Sequence, residues 1–205
     1  NQNFSKTWGT TENITLVNII CYPDEYDFSS KPFFLMSHYD SRLWADHDPN
    51  VSKRKLPVPG ANDGASGVAV ALELGKTLYS YYNISNICLV FFDAEDQGNI
   101  NGWDWIMGSE FFAKSSLLKE LSPSFGILLD MVGAKDATFK REKYSDRYAG
   151  DLLEKVWSVA NLLNNDHYFI NETGRAITDD HLPLLRQGIP VIDIIDEFGT
   201  RYTPW

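Results

Sequence analysis

The sequence predicts an α/β chain: a three-layer α/β/α sandwich around a central, mostly parallel mixed β-sheet. Two observations predict it. Short apolar runs at 33–36, 87–92 and 125–129 alternate with longer segments whose apolar residues recur at helical spacing. Each run also gives way to acids or a histidine. Leu35-Met36-Ser37 runs into His38-Tyr39-Asp40, Phe91-Phe92 into Asp93-Ala94-Glu95-Asp96, and Leu128-Leu129 into Asp130. In an open α/β sheet, the crevice beyond the carboxyl ends of the strands is where ligands bind.

The elements follow in order. A strand spans 14–20 and turns at Pro23-Asp24, and a second strand spans 32–36. The polar stretch 41–63, rich in Asp, Asn and Pro, is long enough to predict a functional loop. Val68, Ala71, Leu72, Leu74 and Leu78 mark a helix over 64–79. The strand at 86–92 is almost wholly apolar, as a central strand covered on both faces must be. A helix at 109–121 and a strand at 125–132 come next. Leu152, Leu153, Val156, Val159, Ala160 and Leu163 line one side of a helix over 148–163. A short helix at 181–186 and a last strand at 189–195 complete the alternation. No repeat or linker interrupts it, so residues 1–205 read as a single domain.

Composition narrows the function. A chain of 205 residues with 43% hydrophobic and 14% aromatic residues has ordinary globular composition. A net charge of -10 argues against a nucleic-acid partner and an anionic membrane surface. No apolar run approaches the roughly 20 residues that span a bilayer. Cys21 and Cys88 close predicted core strands and read as buried thiols, the alternative being a disulfide between neighbouring strands. Glycosylation-type sequons at Asn13, Asn50, Asn83 and Asn171 tilt the expectation slightly toward an extracytoplasmic protein.

The chemistry-bearing residues fall into five groups. His38-x-Asp40 puts an imidazole at a strand end, with a carboxylate two residues on to orient it. Asp63 lies in the tight loop Gly60-Ala61-Asn62-Asp63-Gly64-Ala65-Ser66-Gly67 at a helix start. Glu95-Asp96 follows the most buried strand, Asp130 ends the next, and Asp179-Asp180-His181 opens the short helix. Singly, each has a plainer explanation: a surface pair, a helix N-cap, a solvated loop, a turn former, a capped helix start. Together, all at carboxyl ends, they predict a zinc site of the metallopeptidase type, because a divalent cation best offsets so many buried acids. A serine-nucleophile hydrolase is excluded, since no G-x-S-x-G elbow occurs.

These motifs resemble those of the M28-type zinc aminopeptidases, and within them the glutaminyl cyclases (glutaminyl-peptide cyclotransferases), most nearly the bacterial members of the animal-like type. The resemblance covers essentially the whole chain. It is carried by Ser37 to Arg42, Gly60 to Gly67, Phe91 to Asp96, Gly108-Ser109, Leu128 to Ala134, Asp179-Asp180-His181 and Gly188 to Val191. The double acid Asp179-Asp180, where the aminopeptidases carry Ser-Asp, favours the cyclases. So does Leu129 to Ala134 with Thr138-Phe139 following.

The resemblance implies Asp63 and Asp96 as zinc ligands and Glu95 as general acid/base. His38 and Asp130 would hold a second ion in a two-metal aminopeptidase. In a one-zinc cyclase Asp130 would share a proton relay with Asp179. Asp40, Asp180 and His181 would hold these groups from behind. Trp205 would line the substrate pocket, with Trp105 or Trp103 as a further wall. The implied activity is zinc-dependent conversion of an N-terminal glutamine of a peptide or protein to pyroglutamate, with release of ammonia. The alternatives are an aminopeptidase, or a degenerate domain that only binds peptides. Three departures stand out. Asp96 replaces the family's usual Glu, and Asp193 replaces a histidine of the animal cyclases. The final histidine ligand, expected just after Trp205, lies beyond the sequence, which is expected to be trimmed at both ends.

Overall fold

The computed structural model describes residues 1–8, 12–24 and 30–196. Its first half runs β1 (Gln2–Trp8), β2 (Glu12–Cys21), β3 (Phe33–His38), α1 (Ala65–Tyr82), β4 (Ile87–Phe92), α2 (Met107–Ala113), α3 (Ser116–Leu121) and β5 (Phe125–Asp130). Its second half runs β6 (Phe139–Arg141), α4 (Lys143–Tyr148), α5 (Gly150–Leu162), β7 (Phe169–Thr173), α6 (His181–Arg186) and β8 (Val191–Ile195).

Six strands form one sheet in the order β1-β2-β4-β3-β5-β8. β3 runs parallel to both β4 and β5, and β5 runs parallel to β8; β1 and β2 add an antiparallel edge. Strand alternation divides the core into two layers. Phe34, Met36, Cys88, Val90, Phe92, Leu128 and Val191 point to one side, under Phe112 of α2, Leu118 and Leu121 of α3 and Leu184 of α6. Leu35, Ile87, Phe91, Leu129, Ile192 and Ile194 point to the other, under Ala71 of α1 and Leu153 and Trp157 of α5. The predicted three-layer α/β/α sandwich with a mostly parallel sheet is the observed fold.

Topology fixes where the chemistry sits. From β3 the chain crosses through α1 to β4 on one side; from β5 it moves on toward β8 on the other. β3 and β5 are neighbours whose onward connections diverge, so a crevice opens beyond their carboxyl ends. His38 ends β3 and Asp130 ends β5. α1 reaches this crevice because Gly67 has no side chain. A Cβ there would lie 2.1 Å from the Leu129 carbonyl oxygen and 2.4 Å from Ser37 Oγ.

Several local expectations need correction. The helix expected over 109–121 breaks at Lys114-Ser115, where the Ser115 hydroxyl accepts a 3.2 Å hydrogen bond from Leu118 N–H and starts α3 anew. The helix expected over 148–163 is observed as α5, starting at Gly150, while the short helix α4 that precedes it was not foreseen. β1 and the small parallel pair β6-β7 were not foreseen. Both cysteines are free; Cys88 is buried as expected, but Cys21 is exposed at the end of β2.

Candidate active site

His38 is the hub. Its side chain is 1% exposed, and Nε2 lies 3.1 Å from Asp130 Oδ1 and 3.1 Å from Asp63 Oδ1, with Nδ1 3.4 Å from Asp40 Oδ1. Burial lowers its pKa, but the hydrogen bonds to Asp130, Asp40 and Asp63 outweigh that and hold it well above 6.5. Asp63 arrives on the loop before α1, folded tightly over the histidine at Gly64. That glycine has φ 93°, and a Cβ on it would stand 2.6 Å from the Asp40 carbonyl oxygen and 3.2 Å from the His38 ring. One ligand-type atom each from His38, Asp63 and Asp130 lies within 4.8 Å of the others, a spacing that fits a metal ion.

Asp40 shapes the neighbouring turn as well as facing His38. Its Oδ1 accepts from Glu95 N–H (3.1 Å), while Oδ2 accepts from Asp96 N–H (3.3 Å) and Gln97 Nε2 (2.9 Å). Ala94, just before the acid pair, is left-handed at φ 56°, a strained conformation that this carboxylate helps to fix. Ile106 N–H donates to the Glu95 carbonyl (2.9 Å) and Met107 N–H to that of Ala94 (3.1 Å), closing the segment between into a compact loop.

Arg42 fills that loop. Its guanidinium, 1% exposed, donates to the Asp96 carbonyl (2.9 Å), the Gly98 carbonyl (3.1 Å) and both Asp46 carboxylate oxygens (2.7 Å each). It also lies 4.8 Å from the centroid of the Trp105 ring. Trp105 is pressed against Gly98, where a Cβ would come within 2.1 Å of the indole. Asp63, Glu95, Asp96, Asp130, Asp179 and Trp105 thereby line one cleft of about 290 Å³, with Met131, Ile177 and Ile195 as its apolar floor.

The cleft holds its protons tightly. Burial first, then the charges of Asp179, Asp180 and Asp96, push Glu95 well above 4.5, against the opposing pull of His38. Burial and the charge of Asp63 raise Asp96 to about 8. Burial and the charges of Asp130 and Asp180 raise Asp179, and burial raises Asp130. Among the described residues, Asp96 Oδ2 and Asp179 Oδ2 are buried with no hydrogen-bond partner. Crowded carboxylates, orphaned oxygens and one imidazole are the donor set that a zinc ion satisfies.

Not every expected residue lies in the cleft. Trp103 is buried with Leu16, Ala94 and Met107 under the loop, because its large apolar ring closes the space between the sheet edge and α2; Trp105 alone of the pair forms the wall. Trp205 lies outside the described residues. Asp180 and His181 are fully buried behind Asp179. Asp180 N–H donates to Asp179 Oδ1 (2.6 Å), and His181 stands 3.2 Å from Glu142 Oε2 and 3.8 Å from Asp193 Oδ2. Glu142 was missed by sequence reasoning. It accepts from Tyr144, Ser145 and Ile177 N–H groups, and so ties α4 to the segment that carries Asp179. Burial opposes its ionisation, yet His181 and those amides draw its pKa down to about 2. Arg42 and Gln97 were missed as positioning groups too.

Fold and cleft together define the class: an α/β enzyme fold with a metal-type site at the switch point of its sheet. The chain belongs to peptidase family M28, whose model matches residues 19–204. It is similar to the glutaminyl-peptide cyclotransferase of Bos taurus, 31% identical over 191 residues that cover 78% of this chain and 51% of that protein. It is similar also to Aminopeptidase YwaD of Bacillus subtilis (strain 168), 28% identical over 182 residues covering 84% and 34%. The chain therefore spans about half, or less, of these curated relatives. Among solved structures, Tannerella forsythia glutaminyl cyclase matches with 36% identity and a TM-score of 0.86, covering 99% of this chain and 72% of that one. A Zn-dependent exopeptidase from Parabacteroides distasonis matches with 37% identity and a TM-score of 0.85, covering 100% and 74%.

Proposed function

We propose that the protein cyclises the N-terminal glutamine of peptides or proteins to pyroglutamate, releasing ammonia, with one zinc held by Asp63 and Asp96. The observation that carries this reading is the placement of Glu95, Asp130 and Asp179 around one small cleft, each carboxyl raised by burial and the last two coupled by charge. Such a set holds and moves protons without needing an activated water.

The bond changes are simple. The α-amine nitrogen attacks the side-chain amide carbon, a ring C–N bond forms, and the amide C–N bond breaks. Glu95 takes a proton from the attacking amine and returns it to the departing nitrogen, which leaves as ammonia. Asp130 and Asp179 accept hydrogen bonds from the amine and aim it at the carbonyl. Trp105, clamped by Arg42, packs on the methylenes of the glutamine side chain and excludes the water that would otherwise compete. Zinc, when bound, supplies Lewis-acid polarisation of the reacting carbonyl.

A second reading has its own support. The close approach of His38, Asp63 and Asp130 suits a second metal ion, and with it an aminopeptidase in which Glu95 activates water. Ammonia release from a glutamine-initiated peptide, measured for the zinc-loaded protein and its Glu95→Gln variant, tests the proposal. Ammonia from the wild type alone supports cyclisation. Free amino acid in its place supports the peptidase. Neither product, with zinc confirmed, would leave a domain that only binds peptides.

A further inference from the structure

The cleft of about 290 Å³ is small, so most of a peptide bound in it must extend beyond it. A second and larger concavity, of about 600 Å³, lies across the wall formed by Trp105 and Thr178, which border both spaces. Its floor is apolar: Phe4 and Phe111, stacked at 4.8 Å between ring centroids, with Ile106 and Met107 beside them. Phe111 is 40% exposed, a large ring facing solvent. The charges on the rim are paired within it, Lys6 with Asp104 (3.6 Å) and Lys114 with Glu110 (2.9 Å). A groove with neutralised rim and aromatic floor favours neutral, bulky side chains over charged ones.

We infer that this groove is the binding site for the second and third residues of the substrate peptide, and that it selects large apolar side chains there. The inference rests on the proposed reading that a peptide N-terminus occupies the cleft. Two features support continuity between the spaces. An extended chain advances about 3.3–3.6 Å per residue, so the residue following the one in the cleft already reaches the shared Trp105 wall. Ile106 and Met107 of the groove floor donate backbone hydrogen bonds to the carbonyls of Glu95 and Ala94, so the groove and the turn carrying the candidate base form one hydrogen-bonded unit.

Three tetrapeptide amides test it with the intact zinc-loaded protein: Gln-Leu-Leu-Ala, Gln-Ala-Ala-Ala and Gln-Glu-Glu-Ala. Turnover of the leucine peptide should exceed that of the alanine peptide by about tenfold in kcat/KM, with the glutamate peptide slowest. Phe111→Ser should bring the leucine-to-alanine ratio close to one, a change that general damage to the enzyme would not produce, since damage lowers both rates alike. Equal rates for leucine and alanine in the wild type would overturn the inference, as would an unchanged ratio in Phe111→Ser. Calorimetric binding of the same peptides to the Glu95→Gln variant separates the two levels. If the wild type turns over none of them yet the leucine peptide binds about tenfold tighter, the groove stands and the proposed reaction falls. If leucine and alanine peptides bind equally, the groove falls whatever the reaction.

Discussion

Replacing Arg42 with Met tests how the cleft is built. The guanidinium is almost wholly buried and satisfies the carbonyls of Asp96 and Gly98 while bridging Asp46 and supporting Trp105. Methionine keeps most of the apolar stem and removes every donor. Each carbonyl left buried and unpaired costs about 1–3 kcal/mol. The Asp46 carboxylate, 33% exposed, regains water, so its pair contributes only about 1 kcal/mol. The sum is about 3–7 kcal/mol, a large share of the roughly 5–15 kcal/mol that stabilises a typical domain. Arg42→Lys should restore about half of that, since one ammonium cannot reach both carbonyls and a carboxylate with fork geometry. Urea unfolding at fixed zinc concentration measures the loss, and kcat/KM on a glutamine-initiated peptide reports the Trp105 wall. A loss under about 1 kcal/mol with unchanged kcat/KM would refute the assignment of Arg42 as the clamp of this loop.

Four further outcomes are expected. Glu95→Gln should lower kcat by about 10²–10⁴-fold while zinc content, read by elemental analysis, stays at the wild-type level. Asp63→Ala should lose the metal, and full zinc in that variant would show that the ligand assignment is wrong. Gly67→Ala should be strongly destabilising in thermal unfolding, because its Cβ meets backbone on β5; a wild-type melting temperature would contradict the packing described. In the metal-free protein, Asp96 is raised from 3.8 to about 8 and His38 is raised above 6.5. As pH rises, the unfolded chain releases these protons before the folded one does. Stability should therefore fall between pH 5 and pH 8, and zinc should offset the fall. A metal-free protein more stable at pH 8 than at pH 5 in urea would contradict this.

The residues that strands deliver to the cleft were legible because strand ends are legible. Ile87–Phe92 is apolar without interruption, so the acids after it had to lie at the sheet's edge. The same holds for His38 and Asp130. β1 was not legible: among the described residues Gln2-Asn3-Phe4-Ser5-Lys6 pairs only with β2 and buries little, so its sequence resembles a polar tail. Trp103 and Trp105 are two residues apart in a loop with Gly102 at φ 77°, and no periodicity says which ring turns toward the cleft. Arg42 with Asp46 four residues on reads as a surface ion pair. Its burial depends on the loop from Asp96 to Gly98, more than fifty positions away in sequence. Glu142 is silent for the same reason, since its partners His181 and Ile177 come from another part of the chain.

The most direct test of cyclisation is mass spectrometry of a short glutamine-initiated peptide after incubation with the zinc-loaded protein. Loss of ammonia alone, giving a peptide that begins with pyroglutamate, is the predicted result. Loss of the whole first residue would contradict it and identify hydrolysis of the first peptide bond as the reaction of this cleft.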